Sequence, residues 1–481
     1  MEQKKLLTII AVVLLVGTIV FASYIAVVIV DHEEAESFYV GVTYCGSSVE
    51  DAKEFVDKVK NYTNLFVLQS GVLQWNATAV QEIGDYVTTL NLSYAVYGGT
   101  RNTVLSNKWL NEAKQRWGSQ FIGIYYNDEV GGYMLDATVY LETIQQKDQR
   151  IVPKIEKTEN GAITIYQYND SYDESSQEAT PQNITTYWPD GKITNQNNNK
   201  TTIITYYPNG TINIHENKNN NKNSYTTENI TKYPNVIQSY QEILNQNPIQ
   251  NHNDAAEAYV NMNKKLLEEI NTTQLNKKQI TVFTADYNLY WWNYQSGYNL
   301  VLAELAWNNS IVQQISLVRG AANLQNKQWG TIITWKYTHP PYLPNGAELF
   351  DQMKTSYETG AQYVLIFNYS EDSQNPNTLQ EEHLQALEMF WKDIVQNPNI
   401  THGNTKAEAA LILPQNYGWG MRNPQDTIWG IWPADEASQE IWNQVEKQTK
   451  QHGLKLDIIF EDPNHIAIEK YSHIYYWNQS G

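Results

Sequence analysis

The sequence predicts an α/β protein built on a (β/α)8 barrel, and three observations carry that prediction. From Phe38 onward, short apolar stretches alternate with amphipathic helical segments, the pattern of a mostly parallel sheet wrapped by helices. Eight such stretches can be counted, the number that closes a barrel. Acidic and aromatic residues gather just past several of them, at the strand ends where ligands bind in such folds.

The strand candidates are Tyr39–Tyr44, Asn64–Leu68, Leu92–Val96, Phe121–Tyr126, Ile280–Ala285, Leu300–Leu305, Gly330–Trp335 and Gln362–Phe367. They read as largely apolar runs, as a strand buried on both faces should. Helical spacing falls between them at Val49–Asn61, Gln81–Leu90, Asn107–Trp117, Ile311–Leu324 and Gly346–Thr359. The link between the fifth and sixth strands, Asp286–Asn299, is short and aromatic and has room for only a small helix. An open sheet lacking one repeat is the alternative.

About 150 residues separate the fourth and fifth strands, far more than a compact crossover uses, so an insertion is expected there. Ile163–Tyr168, Ile184–Tyr187, Thr201–Tyr207 and Thr211–His215 alternate apolar and polar residues. Two similar turns, Tyr187-Trp-Pro-Asp-Gly-Lys-Ile193 and Tyr206-Tyr-Pro-Asn-Gly-Thr-Ile212, supply hairpin chemistry. The expectation is an antiparallel β-appendage with an Asn-rich fringe near Asn195–Asn223, flanked by helices at Met134–Gln146 and Asp254–Ile270. After a boundary at Asn397–Thr405, strands at Ala409–Leu413, Leu456–Phe460 and His473–Trp477 with a helix at Glu436–His452 predict a small α/β end domain. The expected organisation is a membrane anchor over 1–30, barrel over 31–150, insertion over 151–250, barrel over 251–400 and end domain over 401–481.

The anchor rests on Leu6–Val30, a charge-free and largely apolar run long enough to cross a bilayer as a transmembrane helix. A cleaved signal peptide, with Ala22-Ser23 as its weak cleavage site, is the competitor. Lys4 and Lys5 before the run, and Asp31, Glu33, Glu34 and Glu36 after it, orient the amino terminus to the cytoplasm and the bulk to the outside. Asn-x-Ser/Thr triplets at Asn61, Asn76, Asn91, Asn169, Asn183, Asn199, Asn209, Asn229, Asn271, Asn308, Asn368, Asn399 and Asn478 agree with an extracellular glycoprotein, although an Asn-rich chain also generates such triplets by chance.

A net charge of −19 over 481 residues argues against nucleic acid as a partner. Cys45 is the one cysteine, so no intramolecular disulfide forms. The nine histidines lack a tight metal-ligand spacing. No metal and no organic cofactor is expected.

The candidate chemistry lies in Phe121–Gly132, FIGIYYNDEVGG, where an apolar strand runs into Asp128 and Glu129. Tyr125 and Tyr126 offer flat faces with hydroxyl tips on which a sugar ring packs. The bland reading is that one of the two acids caps the next helix. In Tyr298–Trp307, YNLVLAELAW, Glu304 lies near a strand end with Trp291 and Trp292 upstream. Glu304 is the natural partner of Glu129, because glycosidic cleavage commonly uses one carboxylic acid and one carboxylate. An ion pair between Glu304 and Arg319 is the structural alternative.

Tyr44, Cys45, Gln69, Tyr97, Arg101, Asp286, Trp335, Lys336, Tyr337, His339, Asn368 and Tyr369 fall at other strand ends and predict one shared cleft. A glycan on Asn368 would block it. The loop Gln415–Pro433 gathers Tyr417, Trp419, Trp429 and Trp432 around Arg422 and Asp426. It suits either a carbohydrate platform or an interface joining the two domains.

Through YYNDEVGG, VLAELAW, RGAA, WGTIITWKY and GAQYVLIFNY, the stretch from Phe38 to about Asn397 without the insertion resembles the TIM-barrel glycoside hydrolases. The end domain looks like the accessory α/β domain of β-galactosidase-type enzymes. The resemblance implies Glu129 as acid/base. The seventh strand ends in Trp335-Lys336-Tyr337 without the carboxylate that the best-known clan carries there, and Glu304 lies on the sixth. The expectation is a membrane-anchored glycoside hydrolase acting on a surface or environmental glycan, with Glu304 as nucleophile or water-activating base and Asp128 tuning charge. A noncatalytic surface glycoprotein that binds glycans or builds the cell envelope is the alternative.

Overall fold

The computed structural model describes residues 38–98, 107–136, 249–270, 280–307, 309–369, 377–463 and 468–479, with the backbone of the strands in the insertion. Val40–Gly481 is a compact unit that holds the barrel, the insertion and the end domain. The expected span Leu6–Val30 lies outside the described residues, among which no helix is long and apolar enough to cross a membrane.

The barrel strands are β1 (Tyr39–Tyr44), β2 (Leu65–Leu68), β3 (Ser93–Gly98), β4 (Phe121–Tyr126), β13 (Thr281–Asp286), β14 (Leu300–Leu305), β15 (Gln328–Ile333) and β16 (Tyr363–Ile366). Between β4 and β13 come β5 (Lys154–Lys157), β6 (Ile163–Gln167), β7 (Asn183–Tyr187), β8 (Lys192–Asn197), β9 (Lys200–Tyr206), β10 (Thr211–Lys218), β11 (Asn221–Ser224) and β12 (Glu228–Asn229). The first group closes into a barrel in the order β1-β16-β15-β14-β13-β4-β3-β2, with parallel pairing. The open-sheet alternative is therefore set aside.

The second group forms its own antiparallel sheet in the order β11-β10-β9-β8-β7-β6-β5, with β12 on β10. β7 pairs with β8 and β9 with β10 across the expected turns, which lie outside the described residues.

The helices of the barrel are α1 (Val49–Val59), α2 (Ala77–Thr89), α3 (Asn107–Trp117), α4 (His252–Glu269), α5 (Tyr290–Ser296), α6 (Ile311–Gln325), α7 (Gly346–Glu358) and α8 (Glu381–Phe390). Their starts carry side-chain caps where the sequence offers them: Ser48 accepts from Asp51 N, Asn76 from Thr78 N, and Ser310 from Gln313 N. α5 is the small helix expected between the fifth and sixth strands. β15 begins two residues before the expected Gly330, because Gln328 pairs with Leu300, and so Trp335 lies beyond the strand.

Strand alternation sorts side chains between the helix layer and the barrel interior. Tyr44 turns outward, between Phe55 of α1 and Phe66 of β2, and its hydroxyl donates to Ser48 O at 2.9 Å. Tyr126 also turns outward, donating to Leu266 O of α4 at 3.3 Å. Tyr97, Tyr125 and Phe283 are cross-strand neighbours with ring centroids 5.4 and 5.1 Å apart, a continuous aromatic row on the inner face.

β17 (Ala409–Leu413), β18 (Leu456–Phe460) and β19 (His473–Tyr476) form a parallel sheet in the order β18-β17-β19, with α9 (Glu436–His452) against it. α6 of the barrel packs on β18. Gly320 allows the approach, since a Cβ there would stand 2.8 Å from Ile458 O. Beside it the buried Arg319 pairs with Asp457 at 2.8 Å and donates to the carbonyls of Thr405, Leu454 and Leu456.

Candidate active site at the barrel mouth

β4 delivers the chain into a turn with unusual backbone. Asn127 and Glu129 both take left-handed φ, 58° and 49°, on either side of Asp128, before a short helix over residues 130–136. Such conformations cost of order 1 kcal/mol or more for residues with a side chain and persist only where surroundings enforce them. Here Glu129 N donates to Ala285 O at 2.9 Å and Thr284 Oγ1 donates to Asn127 O at 3.0 Å.

The buried Asp286 carboxylate accepts from Gly131 N at 2.5 Å, Gly132 N at 3.1 Å, Tyr287 N at 2.9 Å and Asn293 Nδ2 at 2.9 Å. The glycine pair is required by this approach: a Cβ on Gly131 would meet Asp286 Oδ2 at 2.6 Å, and one on Gly132 would meet the Tyr287 ring at 2.4 Å. Asp286, which the sequence places in the binding cleft, is thus the cap of the 130–136 helix. That role is not left to Asp128 or Glu129.

The two acids so released face the mouth. Asp128 accepts from the Tyr125 hydroxyl and, at 3.3 Å, from Gln69 Nε2. The buried Oε1 of Gln69 has no hydrogen-bond partner among the described residues. Glu304, 5% exposed on β14, neighbours Glu129 closely enough for the two carboxyls to perturb each other. The alternative partner for Glu304 is excluded, because Arg319 is committed to Asp457 in the end domain.

Burial, followed by the charges of Glu129, Asp128 and Asp286, holds the Glu304 carboxyl well above the usual range. Burial and then the Asp286 charge push Glu129 up, while the neighbouring Glu304 pulls it back. Asp128 is pushed up by burial and by Glu129. Burial lifts Asp286 to about 7 against the pull of its donors. The result is a set of crowded carboxyls that cannot all ionise at neutral pH.

Other expected site residues divide sharply. Tyr97 lies beside the acids, its hydroxyl raised by burial and by the Asp128 charge. Tyr44 and Tyr126 belong to the helix layer, as described, and Tyr125 takes the place expected of Tyr126. Trp291 and Trp292 are buried at the seam between barrel and end domain, both against Phe460. The Tyr417 hydroxyl meets Asp435 and Ser438 at the start of α9. Trp419 Nε1 donates to Asp426 O, and its ring packs on Trp442. Arg422 pairs with Asp426 at 2.7 Å and Asp136 at 2.6 Å.

The Gln415–Pro433 loop is therefore an interface, the second of its two readings. Lys336 pairs with Glu348 at 2.6 Å, and Trp335 stands half-buried at the rim. Arg101 lies outside the described residues. Asn368 is buried and accepts from Thr378 N and Leu379 N, leaving no room for a glycan in the folded chain. Asn61, Asn76, Asn91, Asn399 and Asn478 are exposed.

Sequence reasoning did not select Trp75, Tyr133 or Trp307, which stand exposed on loops or short helices after β2, β4 and β14. Their position after strand ends was the available signal. Fold and site together define a closed (β/α)8-type barrel with an acid cluster at the carboxyl ends of its strands. No family model and no curated protein matches the chain.

Proposed function

We propose that this protein is a retaining glycoside hydrolase, anchored in a membrane by Leu6–Val30 with its barrel outside the cell. The observation that carries the reading is the neighbouring pair of Glu304, buried, and Glu129, half-buried, among further carboxyls at the barrel mouth. Inversion needs carboxyls roughly 6.5–9.5 Å apart to seat a water, whereas retention needs about 5–5.5 Å, and we take retention because the two carboxyls are immediate neighbours.

The deeper burial of Glu304, which disfavours its charged form more than that of half-buried Glu129, favours the reverse of the roles expected from sequence. Glu304 holds its proton and serves as general acid; Glu129, the weaker proton holder, serves as nucleophile. A Glu129 oxygen attacks the anomeric carbon while the glycosidic C–O bond breaks. The departing oxygen keeps that electron pair and takes the Glu304 proton. Glu304, now a carboxylate, removes a proton from water as the water oxygen displaces Glu129 from the same carbon. Asp128 adds negative charge that keeps Glu304 protonated between cycles.

The test is turnover on a panel of polysaccharides by the unmodified protein, Glu129→Gln and Glu304→Gln. Loss of turnover in both variants, with the product anomer matching the substrate, supports the reading. Equal turnover by all three removes the pair from the mechanism.

A further inference from the structure

Eight large hydrophobic side chains stand exposed among the described residues, and six of them, Val72, Trp75, Tyr133, Trp307, Tyr337 and Tyr369, follow barrel strands at the mouth end. Exposed apolar groups scattered by chance would not collect on one end of a barrel. Three of the six, Trp307, Tyr337 and Tyr369, follow the consecutive strands β14, β15 and β16, where a cleft of about 530 Å³ opens between Trp307 and the Lys336–Pro341 segment.

This edge is held in shape before any ligand arrives. Trp307 takes left-handed φ, 52°, and its N–H donates to Trp335 O at 2.8 Å, joining the two loops. Trp335 lies parallel to Tyr369, with 4° between planes and 5.8 Å between centroids, and its Nε1 donates to Tyr369 O at 2.8 Å. Rigid aromatic faces of this kind bind with little loss of side-chain freedom.

Charge decides which sugars fit. Negative charge shared among Asp128, Glu129 and Asp286 repels a second anion at the mouth. The cleft's one lysine, Lys336, is already neutralised by Glu348. A sugar acid would meet that repulsion with only the imidazole of His339 to offset it in the cleft, whereas an uncharged sugar needs only flat faces and hydroxyl partners.

We infer that the β14–β16 side of the mouth is a subsite for an uncharged glycan chain, and that substrates are neutral oligosaccharides long enough to reach from the acid pair onto Trp307 and Tyr337. The glycan's status as substrate rests on the proposed hydrolase reading; its seat on the aromatic rim does not.

The experiment has two arms. In the first, Glu304→Gln protein is titrated with a ladder of neutral oligosaccharides and with uronic-acid oligomers, read by tryptophan fluorescence and calorimetry. Neutral chains should bind more tightly with each added sugar until the cleft is filled, and uronates should bind at least about tenfold more weakly. In the second, Trp307→Ala and, separately, Tyr337→Ala are made in otherwise unmodified protein. Each should lower kcat/KM on long neutral chains about tenfold or more while leaving the shortest aryl glycosides within about twofold.

Tighter binding of uronates, or long-chain kinetics untouched by both variants, overturns the inference while leaving the hydrolase reading standing. Length-dependent neutral binding that Trp307→Ala abolishes, with no turnover by unmodified protein, upholds the subsite and removes the hydrolase.

Discussion

The barrel mouth and the seam between barrel and end domain are built from the same residue types, yet they are opposite kinds of surface. At the seam, Trp291, Trp292, Trp419 and Trp429 are buried, Arg319 meets Asp457, and Arg422 meets Asp426 and Asp136. Charges there are paired. At the mouth, acids crowd against acids, Gln69 keeps an acceptor unmatched among the described residues, and Trp307, Tyr337 and Tyr369 stay in contact with solvent. Aromatic density therefore does not mark a site; unneutralised charge beside exposed aromatic faces does, because a fold gains nothing from leaving either in that state.

That contrast can be broken in four ways. Glu304→Gln should lower turnover roughly 10²–10⁴-fold, the range for loss of a general acid, with the melting temperature unchanged or higher because one buried ionisable group is gone. A variant that melts early with normal turnover per folded molecule would make Glu304 a seam-like residue. Arg319→Ala should cost about 3–5 kcal/mol in denaturant unfolding, since it leaves Asp457 buried and unpaired. Arg319→Ala combined with Asp457→Ala should recover part of the loss. A drop in kcat with full stability would bring the seam into the chemistry.

The third is a pH series. Asp286 is lifted to about 7 by burial, above the ordinary value near 4, and Glu304 is lifted well above its ordinary value too. Between those values the folded chain binds more protons than the unfolded one, so these groups favour folding most below about pH 4 and progressively less as pH rises toward 7. The stability lost from pH 4 to 7 should be smaller in Glu304→Gln than in the unmodified protein; equal slopes would mean that the mouth carboxyls are not crowded. The smallest effect is expected at Tyr44→Phe, about 1 kcal/mol for the lost bond to Ser48 O, with KM unchanged on every glycan. A rise in KM would return Tyr44 to the site.

Much of this architecture is legible in the chain. β4 and β14 announce themselves as apolar runs ending in acids, and α3 and α9 by their helical spacing, because burial of a parallel sheet and one helix face leaves a periodic mark. The meeting of Glu129 with Glu304 is legible as a pairing of acid-bearing strands. What the chain hides is orientation. Tyr125 and Tyr126 are adjacent and identical, and which one faces inward depends on β4's register with β3 and β13. Arg319 could equally have met Glu304 in a linear reading, since only packing against β18 shows its partner. Asp286 reads as a binding residue until the glycines 131 and 132 are seen to close on it.

The Gln415–Pro433 loop grips the segment just past the acid turn: Arg422 reaches Asp136, Thr427 Oγ1 donates to Leu135 O at 3.0 Å, and a Cβ on Gly430 would lie 1.9 Å from Met134 O. A fragment trimmed at Asn397 would retain every barrel strand and both glutamates while shedding the outside clasp on the stretch that aims one of them. Anyone shortening this chain for expression should cut elsewhere, for the last eighty or so residues behave less as a passenger than as the rear half of the vice.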